Sequence, residues 1–187
     1  RHAQPLDFDG LNSSMPTRIA AGSGAAATPD GESSAMASLP FHRADWPEYP
    51  RTGFGWPIAP EFFATTLAEL GERYGSLLPP VVVTENGASF PDAVELHPET
   101  GEAQVHDGSR IDYLARHLDA LLGAGSAAAG SASSVEVVGY YVWSLLDNFE
   151  WAAGYSQRFG LVHVDFADFT RTPKDSYRWL RLLAESR

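Results

Sequence analysis

Two groups of residues have the types and the spacing for chemistry. In residues 81–90, VVVTENGASF, a carboxylate, Glu85, stands at the end of a run of three valines. The valines read as a buried strand. The acid behind them is either a solvated residue before an Asn86-Gly87 turn or a catalytic group at the mouth of a barrel. The second group falls in residues 139–165, GYYVWSLLDNFEWAAGYSQRFGLVHVD, where Trp143, Asp147, Glu150, Trp151 and Tyr155 crowd a strand end and the loop behind it. Indole faces stack on the apolar C–H faces of a pyranose, and carboxylates accept paired hydroxyl hydrogen bonds, so such a surface suits a sugar. The same residues also suit an aromatic core with acids at its edge. The six histidines, His2, His42, His97, His106, His117 and His163, show no paired metal-ligand spacing, so no metal and no cofactor is expected.

These groups need elements to hold them. Residues 5–12 read as a short strand. Residues 60–74 read as a helix, with Pro60 in its first turn and Phe63, Leu67, Leu70 and Tyr74 inward. Residues 80–85 form a strand whose fully apolar body implies cover on both faces. Asp107 is placed to cap a helix that turns Ile111, Leu114, Leu118 and Leu121 inward. Residues 135–145 read as another strand and residues 160–165 as a short extended piece. Thr172 and Pro173 open a last helix with Tyr177, Leu180 and Leu183 inward. Repeated βα units imply a parallel sheet with helices outside. Three strands cannot close a barrel, and a (β/α)₈ barrel usually takes about 250 residues. The expected fold class is therefore α/β: the C-terminal three βα units of a (β/α)₈ TIM barrel, an incomplete barrel. A small open α/β domain is the alternative. The whole chain, 1–187, is expected to be one barrel part, with low-complexity surface loops at 20–38 and 123–134.

Composition narrows the partners. The chain carries 24 acidic and 13 basic residues, a net charge of −11, which argues against a nucleic-acid partner. With no cysteine, disulfides and thiolate metal sites are excluded, and a reducing, cytoplasmic location is expected. No apolar stretch is long enough for a bilayer and no signal peptide opens the chain, so no membrane partner is expected. The chain begins at Arg1 and its first methionine is Met15, so it is expected to be a piece of a longer protein or a processed one.

The strings VVVTENGASF, VHDGSRIDYL, GYYVWSLLDNFEWAAGYSQRFGLVHVDF and TPKDSYRWL, with weaker support from PLDFDGLN and GFGWPIAPEF, resemble glycoside hydrolase family 1. This is the β-glucosidase family of (β/α)₈ barrels, and the resemblance is to its C-terminal portion. The resemblance implies a β-glycoside or oligosaccharide substrate, with Glu85 as the nucleophile that forms a glycosyl-enzyme ester. It gives Glu150 and Trp151 to the hydroxyls on the far side of the nonreducing sugar. Trp143 becomes the indole platform under that sugar, and Phe159 an aromatic wall of the same subsite. Trp56 becomes an indole at the aglycone entrance, with a packing residue before a helix as the equal alternative. His106, in the family's VHD loop, is read as structural. Glu150 would repel a phosphate dianion, so unphosphorylated β-glucosides, β-galactosides or β-fucosides are expected.

The resemblance also has gaps. The family's acid/base glutamate lies in an Asn-Glu-Pro motif, which this sequence lacks, and the Pro-Glu pairs at Glu48, Glu61 and Glu99 match nothing catalytic. General acid help is worth about 10²–10⁴-fold. The family's GLNYY reads GLNSS here, so Ser14 replaces the tyrosine that contacts the nucleophile, and Asp9 stands where an apolar residue is usual. The expectation is a fragment of a retaining β-glycosidase with nucleophile but without acid/base, inactive alone, whose partner is the missing N-terminal part of the barrel. The alternative is a non-catalytic sugar-binding or structural half-barrel remnant.

Overall fold

The computed structural model of the chain describes residues 5–22, 39–126 and 135–186. In chain order these form β1 (Asp9–Asn12), β2 (Ile19–Ala21), β3 (Phe41–Arg43), α1 (Pro60–Tyr74), β4 (Val81–Asn86), β5 (Glu95–Leu96), β6 (Ala103–Gln104), α2 (Gly108–Ser126), β7 (Val137–Val142), β8 (Val162–Val164), β9 (Arg171–Pro173) and α3 (Asp175–Glu185). Among them β1, β4 and β7 make a three-stranded parallel sheet with β4 central. The other strands pair as short antiparallel hairpins.

Alternation along β4 explains how the sheet meets the helices. Val81 and Val83 are fully buried against Phe63 and Leu67 of α1, Leu121 of α2, and Val135. Val82 and Thr84 turn to the other face, where Val82 is half-buried and Thr84 exposed. In β7, Val138 and Tyr141 are exposed as well. The expected cover on both faces of β4 is therefore corrected: among the described residues, helices back one face and the other stands open. A second core cluster, Ile58, Ala88, Tyr113, Leu114 and Leu161, lies beneath the strand ends and takes Tyr177 and Leu180 of α3 at its margin.

Several boundaries differ from the sequence reading, each for a physical reason. β1 and β7 are shorter than the stretches read for them, 5–12 and 135–145. The last helix starts at Asp175, because Arg171–Pro173 pairs antiparallel with β8 and the Lys174 N–H donates to the Leu161 carbonyl at 3.0 Å. Asp107 stands at the cap position before α2, as expected, but its carboxylate turns to the first turn of α3. One carboxylate oxygen accepts the Ser176 N–H at 2.8 Å and the other takes Arg110 and the Ser176 hydroxyl. The buried stripe of α2 runs through Arg110, Tyr113, Leu114, His117 and Leu121. Ile111 and Leu118 are only half-buried, since the polar residues Arg110 and His117 find partners inside. Tyr74 and Leu183, expected inward, are exposed in the closing turns of their helices. Ala20 and Ala21 belong to β2 and residues 123–126 finish α2; the rest of the two low-complexity segments lies outside the described residues, apart from Gly22.

Candidate active site

Parallel pairing brings the end of β1 beside the end of β4. A register shift between Leu11 and Asn12 sets Asn12 opposite Glu85. There Asn12 Nδ2 donates to Glu85 Oε2 at 2.8 Å, and the Ser13 N–H donates to the Glu85 carbonyl at 3.0 Å. The next residue, Asn86, points into the core, and its carbonyl accepts the Trp143 N–H at 3.0 Å. Gly87 follows because nothing larger fits: a Cβ there would stand 1.8 Å from the Trp143 carbonyl oxygen. The end of β7 thus lies directly against the end of β4.

That contact delivers Trp143. Its Nε1–H points at Glu150 Oε2, 3.4 Å away. Burial raises the Glu150 carboxyl above its ordinary pKa and the Glu85 charge adds to the rise, while the Trp143 N–H opposes it. Glu85, Trp143 and Glu150 are therefore one electrostatic unit, two acids and an indole at the ends of adjacent strands. Such a unit can take the hydroxyls and the apolar face of a pyranose. Phe159 and Trp56 form a separate aromatic group with Phe54. The Trp56–Phe159 ring centroids are 5.7 Å apart, the Phe54–Phe159 centroids 6.0 Å, and Phe159 is only 2% exposed. Trp56 is anchored by its backbone N–H, which donates to Thr52 Oγ1 at 3.1 Å. Trp151 projects from a short 3₁₀ turn with φ of 41° and is 82% exposed.

Two members of the crowd read from the sequence do other work. Tyr155 packs on Phe149 and Phe166. Asp147 is fully buried: Oδ1 accepts Lys174 Nζ at 3.0 Å and the Gly160 N–H at 2.9 Å, and Oδ2 accepts Arg158 Nη1 at 3.1 Å. It shapes the loop that carries Glu150 and presents no face to a ligand. Lys174 also binds Asp92, and Arg110 joins Asp92 to Asp107. Three carboxylates thus balance three cations in a network that ties the loops after β4 and β7 to the starts of α2 and α3. Burial pushes the Lys174 ammonium pKa down, as does nearby Arg110, while Asp147 and Asp92 hold it up. Sequence reasoning missed this network. Only the Asp107–Arg110 pair is close in sequence; the others join residues far apart along the chain. His106 makes an exposed ion pair with Asp175 at 2.6 Å.

A parallel sheet backed by helices, with paired acids and an indole where its strands end, is the layout of an α/β barrel enzyme's working rim, present here in part. The sequence matches Glycosyl hydrolase family 1 over residues 2–187, and the chain belongs to that family. It is 47% identical over 132 residues to a bifunctional β-D-glucosidase/β-D-fucosidase of Bifidobacterium breve, covering 71% of this chain and 27% of that protein. It is 39% identical over 182 residues to a β-glucosidase of an Agrobacterium species, covering 97% of this chain and 35% of that protein. The β-glucosidase of Thermotoga maritima solved with glucoimidazole superposes with a TM-score of 0.75 at 36% identity, covering 96% of this chain and 34% of that one. The chain thus spans about a third or less of the length of these relatives, and its fold is a partial α/β barrel.

Proposed function

We propose that this chain is the nucleophile-bearing part of a retaining β-glycosidase, made of the C-terminal three βα units of its barrel. The observation that carries the reading is Glu85 at the end of β4, held by Asn12 at 2.8 Å, with Trp143 and Glu150 beside it. Glu85 attacks the anomeric carbon as the bond to the aglycone oxygen breaks and the partner acid protonates that oxygen; the glycosyl ester so formed is then hydrolysed by water, which releases the sugar and frees the Glu85 carboxylate. In retaining enzymes the partner acid lies about 5–5.5 Å from the nucleophile. The chain holds no Asn-Glu-Pro, so that acid comes from residues beyond it, and the chain alone does not turn over ordinary glycosides. Trp143 lies under the nonreducing sugar, Glu150 and Trp151 bind its outer hydroxyls, Phe159 walls the subsite and Trp56 lines the way to the aglycone. The Glu150 charge selects sugars without phosphate.

The test is to express the whole open reading frame containing this chain and assay it on 4-nitrophenyl β-D-glucoside. Hydrolysis is expected, with Glu85→Ala lowering kcat by about 10⁴-fold or more. Normal activity in Glu85→Ala would sink the assignment. The two serines at Ser13 and Ser14 favour a second reading, a sugar-binding remnant without chemistry. Glucose binding without turnover by the full product would support it.

A further inference from the structure

Asn86 reaches the end of β1, α2 and β7 from beside Glu85, and every polar atom of its side chain is used. Its Nδ2 donates to the Ser13 carbonyl at 2.7 Å and to the Tyr113 hydroxyl at 3.3 Å. Its Oδ1 accepts the Tyr140 hydroxyl at 2.6 Å. Tyr113 in turn donates to the Ser14 carbonyl at 3.1 Å and stacks on His117 with centroids 3.9 Å apart. The donor directions leave one consistent arrangement: Tyr140 to Asn86, Asn86 to Tyr113 and Ser13, Tyr113 to Ser14. Burial raises both phenol pKa values, so both hydroxyls remain donors at neutral pH. The network is buried at Asn86 and fixes two successive carbonyls beyond the end of β1, the residues that follow Asn12. Asn12 itself is exposed and lies after the register shift, where the ladder is irregular.

We propose that Asn86, with Tyr140 and Tyr113, is a positioning device for the nucleophile: by clamping the Ser13 and Ser14 carbonyls it aims the Asn12 amide at Glu85. This rests on Glu85 acting as proposed above. None of the three residues touches the reacting atoms. They act through Asn12, and a small misplacement there is costly because a carboxylate displaced by about 1 Å can lose about 10²-fold in rate.

Tyr140→Phe tests the clamp, since it deletes one hydroxyl and keeps the ring that packs against the core. Tyr113→Phe is the second variant, breaking the chain at Ser14 instead. The first readout is the ¹H–¹⁵N spectrum of the full reading-frame product, which needs no turnover. The Asn12 side-chain amide signals are expected to move toward free, fast-exchanging values in both variants, with the α1 backbone signals in place. Unchanged Asn12 signals would overturn the proposal. The second readout is kinetic, in the full reading-frame product: kcat is expected to fall about tenfold with KM changed less than twofold. A lower unfolding temperature with kcat intact would mean the network only stabilises the fold, and would also overturn it. Glu85→Ala in the same assay separates the two ideas. If it retains activity, the nucleophile assignment fails; if it is dead while both tyrosine variants are normal, only the clamp fails.

Discussion

Glu150 is the acid whose surroundings bear most directly on the proposed sugar site. Its pKa is raised first by burial and then by the charge of Glu85, and it is tied to the Trp143 indole at 3.4 Å. A half-buried carboxylate of this kind gains from two hydroxyl donors and loses against a phosphate. Glu150→Gln keeps the shape and removes the charge. In the full reading-frame product its kcat/KM for an unphosphorylated β-glucoside is expected to fall about 10–100-fold, the worth of a hydrogen bond to a charged group. The ratio of activity on the 6-phosphorylated analogue to activity on the plain one should rise. An unchanged ratio would remove Glu150 from substrate selection. At this scale the sequence singled out Glu85, Trp143 and Glu150 from contiguous strings, and the structure sets them beside one another at neighbouring strand ends. It misled at Asp147. An acid near tryptophans reads the same whether it faces a sugar or a buried lysine, and Lys174 is too far along the chain to signal the pairing.

The elements show the same division. Helix α1 has the bounds read for it, Pro60–Tyr74, and buries Phe63 and Leu67 of its apolar period but not Tyr74, and α2 was legible as a helix although its buried stripe is rotated toward Arg110 and His117. Strand β8 falls within the extended piece read at 160–165, but its partner β9 was read as the opening of the last helix, because a strand of three residues has no period to read. The polar members of the α2 stripe give the chain a pH dependence. Burial holds His117 below its ordinary 6.5, with Arg116 acting the same way and the Tyr113 carbonyl and Glu61 opposing. Above 6.5 the ring is neutral both folded and unfolded and adds no penalty. As pH falls below 6.5 the unfolded chain takes up a proton before the folded one, so stability is lost until the folded pKa is passed. His163, also held low by burial, acts in the same sense. His106, raised by Asp175, acts in the opposite sense and is exposed. Urea unfolding at pH 7.5 and pH 5.5 should therefore show a larger drop in midpoint for the native chain than for His117→Gln. Equal drops would show that the ring does not titrate against folding.

For the molecule as a whole, the governing fact is the open face of the sheet. Helices α1 and α2 cover the Val81–Val83 side, while Phe8 at 54%, Val138 at 57% and Tyr141 at 64% exposure face outward together with Thr84. β1 and β7 are both edges of this sheet. Parallel sheets are ordinarily covered on both faces, and exposed edges pair with whatever strand is offered. The chain covers only 34% of the Thermotoga maritima enzyme it superposes on, so that enzyme has ample further chain to lay over the corresponding surface. Among the described residues of this chain nothing lies over that face, and each exposed apolar side chain adds up to about 1.5–3 kcal/mol of drive toward burial. Sedimentation velocity on the isolated chain is therefore expected to show association that grows with concentration. Tyr141→Lys with Val138→Lys should weaken it while leaving the far-ultraviolet circular dichroism unchanged, because both side chains point away from the packed face. A chain that stays monomeric at every concentration and still unfolds cooperatively would mean that one covered face is enough, and would remove the argument that this sheet requires the rest of a barrel.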